Sequence, residues 1–261
     1  MIDPPAHRFR GDDGWELAYR EIGEGRPLVL LHGFTSSGLL WLHQGPAATL
    51  AEHGFRVILP DLRGHGDSAR PHDPAAYPPD VLADDGLALV ERLGLGDYAL
   101  GGYSLGGRVV LRMLARGAHP AHAVVAGQGL GAVTRAGKRA SPYRAVLTAL
   151  VDDVPLEPGS PEAEIAYWIT QLGGDPRALL RVLDADVPTS RAALSRITTP
   201  TLVTAGDQDG GHTDADALAA ALPGARFDHV PGDHFTAFTS PEFATAVLAF
   251  LTRPSRPGQR R

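Results

Sequence analysis

The sequence predicts an α/β fold built on a mostly parallel sheet, and two observations carry that expectation. Short β-branched or leucine-rich runs alternate with amphipathic stretches, as in βαβ units. Four of those runs, Leu28-Val29-Leu30-Leu31, Val57-Ile58-Leu59, Ala123-Val124-Val125 and Leu202-Val203-Thr204-Ala205, are near-continuously apolar rather than alternating, which suits strands covered on both faces.

In chain order the strand runs are Trp15 to Arg20, Pro27 to Leu31, Arg56 to Leu59, Tyr98 to Gly102, His122 to Ala126, Thr201 to Ala205 and Arg226 to Val230. Helices are expected at about 39–53, 80–94, 105–117, 213–222 and 241–252, with Asp80, Thr213 and Ser240 as N-caps. Residues 128–197 carry helical patterns (Tyr143 to Val151, Pro161 to Leu172, Pro176 to Leu183) but no strand. The expected division is therefore a core of 1–127 and 198–261 with a helical cap inserted at 128–197, and Arg253 to Arg261 as a frayed, basic tail.

Composition narrows the chemistry. The 261 residues are 43% hydrophobic and 21% charged, enough to bury a sizeable core. A net charge of -6, with 24 basic residues against 30 acidic, lacks the basic footprint of a nucleic-acid binder. The absence of cysteine excludes disulfides, thiolate metal sites and a cysteine nucleophile, so catalysis must use oxygen and nitrogen groups. No window approaches 18 uncharged apolar residues and the N-terminus has no apolar run after its charges, so a cytoplasmic protein without a membrane partner is expected. No motif implies a metal or an organic cofactor, and the expected partner is a small-molecule substrate.

The sharpest chemical signal is Gly102-Tyr103-Ser104-Leu105-Gly106-Gly107, a G-x-S-x-G between an apolar run and a helical stretch. A nucleophile on so tight a turn sits at positive φ, and side chains at 102 or 106 would collide across it. A serine needs a base and an orienting acid. His234, in the loop Gly232-Asp233-His234, is the candidate base; Asp209, in Gly206-Asp207-Gln208-Asp209, is the candidate acid, with Asp207 its competitor. His32, after a buried strand, is expected to brace the loop that presents the Phe34 amide to an oxyanion beside the Leu105 amide.

With Leu31-His32-Gly33-Phe34 and Asp61-Leu62-Arg63-Gly64-His65-Gly66-Asp67-Ser68, these motifs resemble the α/β-hydrolase fold superfamily from about residue 9 to residue 252, the cap region excepted. The resemblance implies an eight-stranded, mostly parallel sheet with strand two antiparallel and a helical cap between strands six and seven. Serine at 104 separates the chain from the epoxide hydrolases and dehalogenases of that fold, which use Asp at the elbow. It leads to the expectation of a serine hydrolase of small carboxylic esters, lactones or thioesters, acting through an acyl-enzyme on Ser104.

Arg108, one helical turn past the nucleophile, supports an alternative. An arginine there is similar to the carboxylate-holding one of menaquinone-pathway lyases of the fold, in which the triad moves a proton without an acyl-enzyme. A salt bridge to a neighbouring loop competes with that role for Arg108. Tyr103 and Trp168 complete the candidate substrate-binding set, with Tyr167 and Trp168 as possible walls of an acyl pocket against a plain packing role. A third reading, a non-catalytic ligand receptor on the same fold, lacks support from a chain that carries every triad candidate.

Overall fold

The structure is a computed structural model, and it describes residues 3–135 and 142–253. The expectation of a frayed tail falls outside the described residues from 254 onward.

Among the described residues eight strands form one sheet: β1 (His7–Arg10), β2 (Glu16–Ile22), β3 (Arg26–Leu31), β4 (Phe55–Pro60), β5 (Ala99–Tyr103), β6 (His122–Ala126), β7 (Thr201–Gly206) and β8 (Ala225–Val230). Their order is β1-β2-β4-β3-β5-β6-β7-β8. Only β2 runs against the rest, antiparallel to both β1 and β4, while β3 to β8 pair in parallel, for example Leu28 beside both Val57 and Ala99.

The continuous apolar runs follow from the pleat. Successive side chains leave opposite faces of a strand, and here each face is roofed by helices. Leu28, Leu30, Val57, Leu59, Val124 and Leu202 enter the core beneath α1 (Leu39–His43), α2 (Ala47–Glu52) and α11 (Pro241–Leu251). Val29, Leu31, Ile58, Leu100, Val125 and Val203 enter the other core, beneath α3 (Val81–Arg92), α4 (Leu105–Ala115) and α10 (Ala215–Ala220). Both sets being apolar, no alternation is left to see.

The structure differs from expectation in four places. β1 was not foreseen, because on this edge strand only Phe9 reaches the core and its neighbours are exposed. The helix expected over 39–53 breaks into α1 and α2 at Gly45-Pro46, where a Cβ at 45 would press on the Phe238 ring and Pro46 becomes the N-cap of α2. Asp80 precedes α3 in the left-handed region (φ 72°) and gives its carboxylate to Arg112 instead of capping. Asp214, not Thr213, precedes α10. Ser240 does cap α11, accepting from the Phe243 amide at 3.1 Å.

Between β6 and β7 lie α5 (Leu130–Thr134), α6 (Pro142–Val151), α7 (Pro161–Gln171), α8 (Pro176–Ala185) and α9 (Arg191–Leu194). Ser160 and Asp175 cap α7 and α8, each followed by proline at the first helical position. α6, α7 and α8 share a small core of Val146, Leu147, Ala166, Ile169 and Leu179, and Phe34 from the sheet edge packs against it.

The loop after β4 is structural. Asp61 accepts from the amides of Gly38 (2.7 Å) and Asp67 (2.8 Å). Arg63, 1% exposed, forks onto Asp85 (3.0 and 2.7 Å) and also reaches Asp13 and the Ala76 carbonyl. Every charge buried there has a partner, which is the condition for tolerating it.

Candidate active site

Parallel strands all end at one edge, so the loops after β3, β5, β7 and β8 converge there. The turn after β5 forces Ser104 to φ 53°, ψ −117°, a strained conformation for a residue with a side chain. The flanking glycines are required by contact: a Cβ at Gly102 would overlap the Gly106 carbonyl, and one at Gly106 would overlap the Leu31 carbonyl. Ser104 is thereby lifted clear of the sheet at the N-terminus of α4.

His234 follows β8. Its Nε2 lies 3.0 Å from Ser104 Oγ and its Nδ1 lies 2.7 Å from Asp209 Oδ2. Asp209 is 5% exposed, and its other oxygen accepts from the Gly211 amide at 3.2 Å. Asp207 instead turns back to accept from the Gly232 amide at 2.9 Å, shaping the histidine loop from beneath. The three expected residues are thus joined in one hydrogen-bonded line, and the competition between the two aspartates falls to Asp209.

His32 braces the loop after β3. Its Nε2 accepts from the Leu62 amide at 3.0 Å and its Nδ1 meets the Gly33 carbonyl at 2.8 Å. A Cβ at Gly33 would lie 3.5 Å from Ser104 Cβ, which puts Phe34 beside Ser104. The amides of Phe34 and Leu105 donate to no other group among the described residues. Thr35, next in the loop, is held at φ 62°, a conformation disfavoured for a β-branched residue. His65 stacks edge-on against His32 (5.0 Å) and Phe34 (5.7 Å). Burial pushes the His32 imidazole down to about 4 and, with His32 beside it, His65 down to about 3, so both rings are neutral struts.

The three expected substrate contacts are placed otherwise. The Tyr103 ring is buried and its hydroxyl donates to the His234 carbonyl at 2.7 Å, which supports the His234 loop from below. Burial, with Asp209 and Asp233 nearby, pushes its phenol well up. Arg108 Nη1 donates to Asp186 Oδ2 at 2.7 Å, a salt bridge to the segment that follows α8. Trp168 stands 54% exposed on α7 with its edge to Tyr167. The aromatic that the helical segment does bring to the site is Tyr143 of α6, packed edge-on against Phe34 at 5.2 Å.

His212 was also missed. Its ring lies 5.1 Å from that of His234, and Asp209, His212 and His234 each bring a ligand-type atom within 4.8 Å of the others. No spacing motif announces this, since His212 and His234 sit on different loops. His234 Nδ1 and Asp209 Oδ2 are already engaged with each other at 2.7 Å, an arrangement suited to proton transfer.

Comparison with known proteins agrees with the fold. A family profile described as alpha/beta hydrolase fold matches residues 26–135. The chain is 36% identical over 110 residues to the AB hydrolase superfamily protein YisY of Bacillus subtilis, covering 42% of this chain and 40% of that protein. It is 40% identical over 121 residues to a non-heme haloperoxidase of Rhodococcus erythropolis, 46% of this chain and 42% of that one. These matched stretches span less than half of either relative. A solved thermophilic esterase from Thermogutta terrifontis is 27% identical, with a TM-score of 0.74 over 95% of this chain and 98% of its own. The chain has the α/β-hydrolase fold, and its residues 26–135 match the profile of that family. Among the described residues no helix is long and apolar enough to cross a membrane.

Proposed function

We propose that this protein is a serine hydrolase of small carboxylic esters, lactones or thioesters, with residues 128–197 as a cap over the site. The observation that supports it best is the unbroken line from Asp209 Oδ2 through His234 to Ser104 Oγ, at 2.7 and 3.0 Å. The likeness to a solved esterase points the same way.

In this reading Ser104 Oγ attacks the acyl carbon while His234 Nε2 takes its proton. Negative charge gathers on the former carbonyl oxygen, where the Phe34 and Leu105 amides donate to it. Asp209 holds the His234 Nδ1 proton in place and stabilises the imidazolium without taking the proton. His234 then protonates the leaving alkoxide, thiolate or lactone oxygen, leaving an acyl-enzyme. Water, deprotonated by the same nitrogen, releases the carboxylic acid and restores Ser104.

The lyase alternative rested on Arg108 as a carboxylate holder, and Asp186 already meets that guanidinium. The test is stopped-flow release of p-nitrophenol from p-nitrophenyl butyrate by wild type and Ser104→Ala. A burst near one equivalent per chain, absent in the variant, supports the reading. Turnover without a burst, retained in Ser104→Ala, overturns it.

A further inference from the structure

We propose that His212 is a positioning residue for the base His234, coupling the triad to the first residues of the helical segment through a hydrogen bond that its own protonation breaks. This rests on the reading of Ser104, His234 and Asp209 as a hydrolytic triad.

His212 lies three residues past Asp209, with its amide donating to the Asp209 carbonyl at 3.0 Å. Its imidazole packs against His234 at 5.1 Å and 37°, while Tyr103 and Phe235 approach the same ring at 5.4 and 5.6 Å. The base is thus walled by three rings, and His212 is the one that can titrate near neutrality. His212 Nδ1 accepts from the Gly129 amide at 3.1 Å. An amide can only donate, so Nδ1 must be unprotonated and His212 neutral for that bond to exist.

The bond belongs to a seam. The Leu130 amide reaches the Asp214 carbonyl (3.2 Å) and the Gly131 amide reaches Asp214 Oδ2 (2.6 Å), so the loop carrying the catalytic acid is stitched to the start of α5. A Cβ at Gly129 would run into Asp214, so this backbone has no room to retreat.

The charged groups around His212 come from every neighbouring element. Asp209 and Asp214 lie on its own loop, His234 on the loop after β8 and Arg108 on α4. Arg135, just past α5, donates to the Gly131 carbonyl at 3.3 Å. Burial and the positive charges of His234 and Arg108 lower the His212 pKa against the pull of the two aspartates, which keeps the bond to Gly129 intact at neutral pH. In acid, protonation at Nδ1 sets two donors face to face, breaks the seam and puts a second cation beside the catalytic base.

The readout is the rate at which a fluorophosphonate probe labels Ser104 between pH 4.5 and 8, which requires no knowledge of the natural substrate. In wild type the logarithm of the rate should fall in acid with a slope exceeding one, because the effect of protonating His212 adds to that of protonating the base. His212→Asn keeps an acceptor for Gly129 but cannot titrate; it should label within about threefold of wild type at pH 8 and show a slope of one. His212→Phe keeps the flat ring but orphans the Gly129 amide, and should label about tenfold slower at pH 8. A slope of one in both wild type and His212→Asn, or unchanged labelling in His212→Phe, overturns the role of His212 alone. Absence of labelling in wild type at every pH overturns the triad reading, and this inference with it.

Discussion

Arg108 on α4 closes on Asp186 at 2.7 Å, so the segment that follows α8 is fastened directly to the helix that Ser104 precedes. The bond is part of a longer attachment, in which the Arg112 guanidinium reaches Asp80 and the Pro188 carbonyl and the Asp80 amide reaches the Ala185 carbonyl.

Breaking that fastening should cost stability. The Asp186 side chain is 9% exposed and Arg108 is 22% exposed, so Arg108→Met leaves a buried carboxylate without its cation, at about 1–3 kcal/mol. Asp186→Asn alone should cost less, and the double variant less than the sum, as read by denaturant unfolding. Turnover of neutral esters per folded molecule should stay within a few-fold of wild type; a loss confined to carboxylate-bearing substrates would return weight to the lyase chemistry.

The two aspartates of the loop after β7 should separate kinetically. Asp209→Asn keeps the shape but favours the wrong histidine tautomer, and kcat should fall about 10³–10⁴-fold. Asp207→Asn retains an oxygen for the Gly232 amide, and its effect should be at most about tenfold. Steady-state rates on p-nitrophenyl butyrate distinguish them, and equal losses would contradict the assignment of Asp209.

Tyr103→Phe removes a hydroxyl that donates to the His234 carbonyl and leaves that carbonyl without its donor. Stability should drop by about 1 kcal/mol and kcat by several-fold, with KM nearly unchanged because the ring lies beneath the base. A change in KM alone would mean that Tyr103 faces the substrate after all.

His32 and His65 make stability depend on pH. Their folded pKa values, about 4 and about 3, lie below the unfolded value of about 6.5, so between these limits the unfolded chain binds more protons. Stability is therefore full above about pH 6.5 and declines as pH falls towards 4, by at most about 3 kcal/mol for each ring over that interval. Urea unfolding at pH 7 and pH 4.5 should show the loss, and replacing His65 with Asn should make the decline shallower. A pH-independent midpoint would mean that these rings are protonated in the folded protein.

What the sequence disclosed and what it withheld divide along physical lines. The elbow, the His32 loop and the Asp209 and His234 turns were legible because each is local: a glycine where a Cβ would collide, or a polar residue just past an apolar run. Asp186, His212 and Tyr143 were not, because their roles depend on partners 78, 83 or 109 positions away that only the assembled sheet edge brings near. β1 escaped because an edge strand with a single anchored side chain carries almost no hydrophobic pattern.

The backbone at Ser104 has a bearing on how such a protein can drift. A residue at φ 53°, ψ −117° is one that glycine would occupy with less strain, so Ser104→Gly should yield a chain that folds at least as well and does nothing. Selection for stability alone would erode this position, whereas selection for turnover must hold it against that pull. A serine persisting at this site in a lineage is thus a record that the reaction itself was being kept.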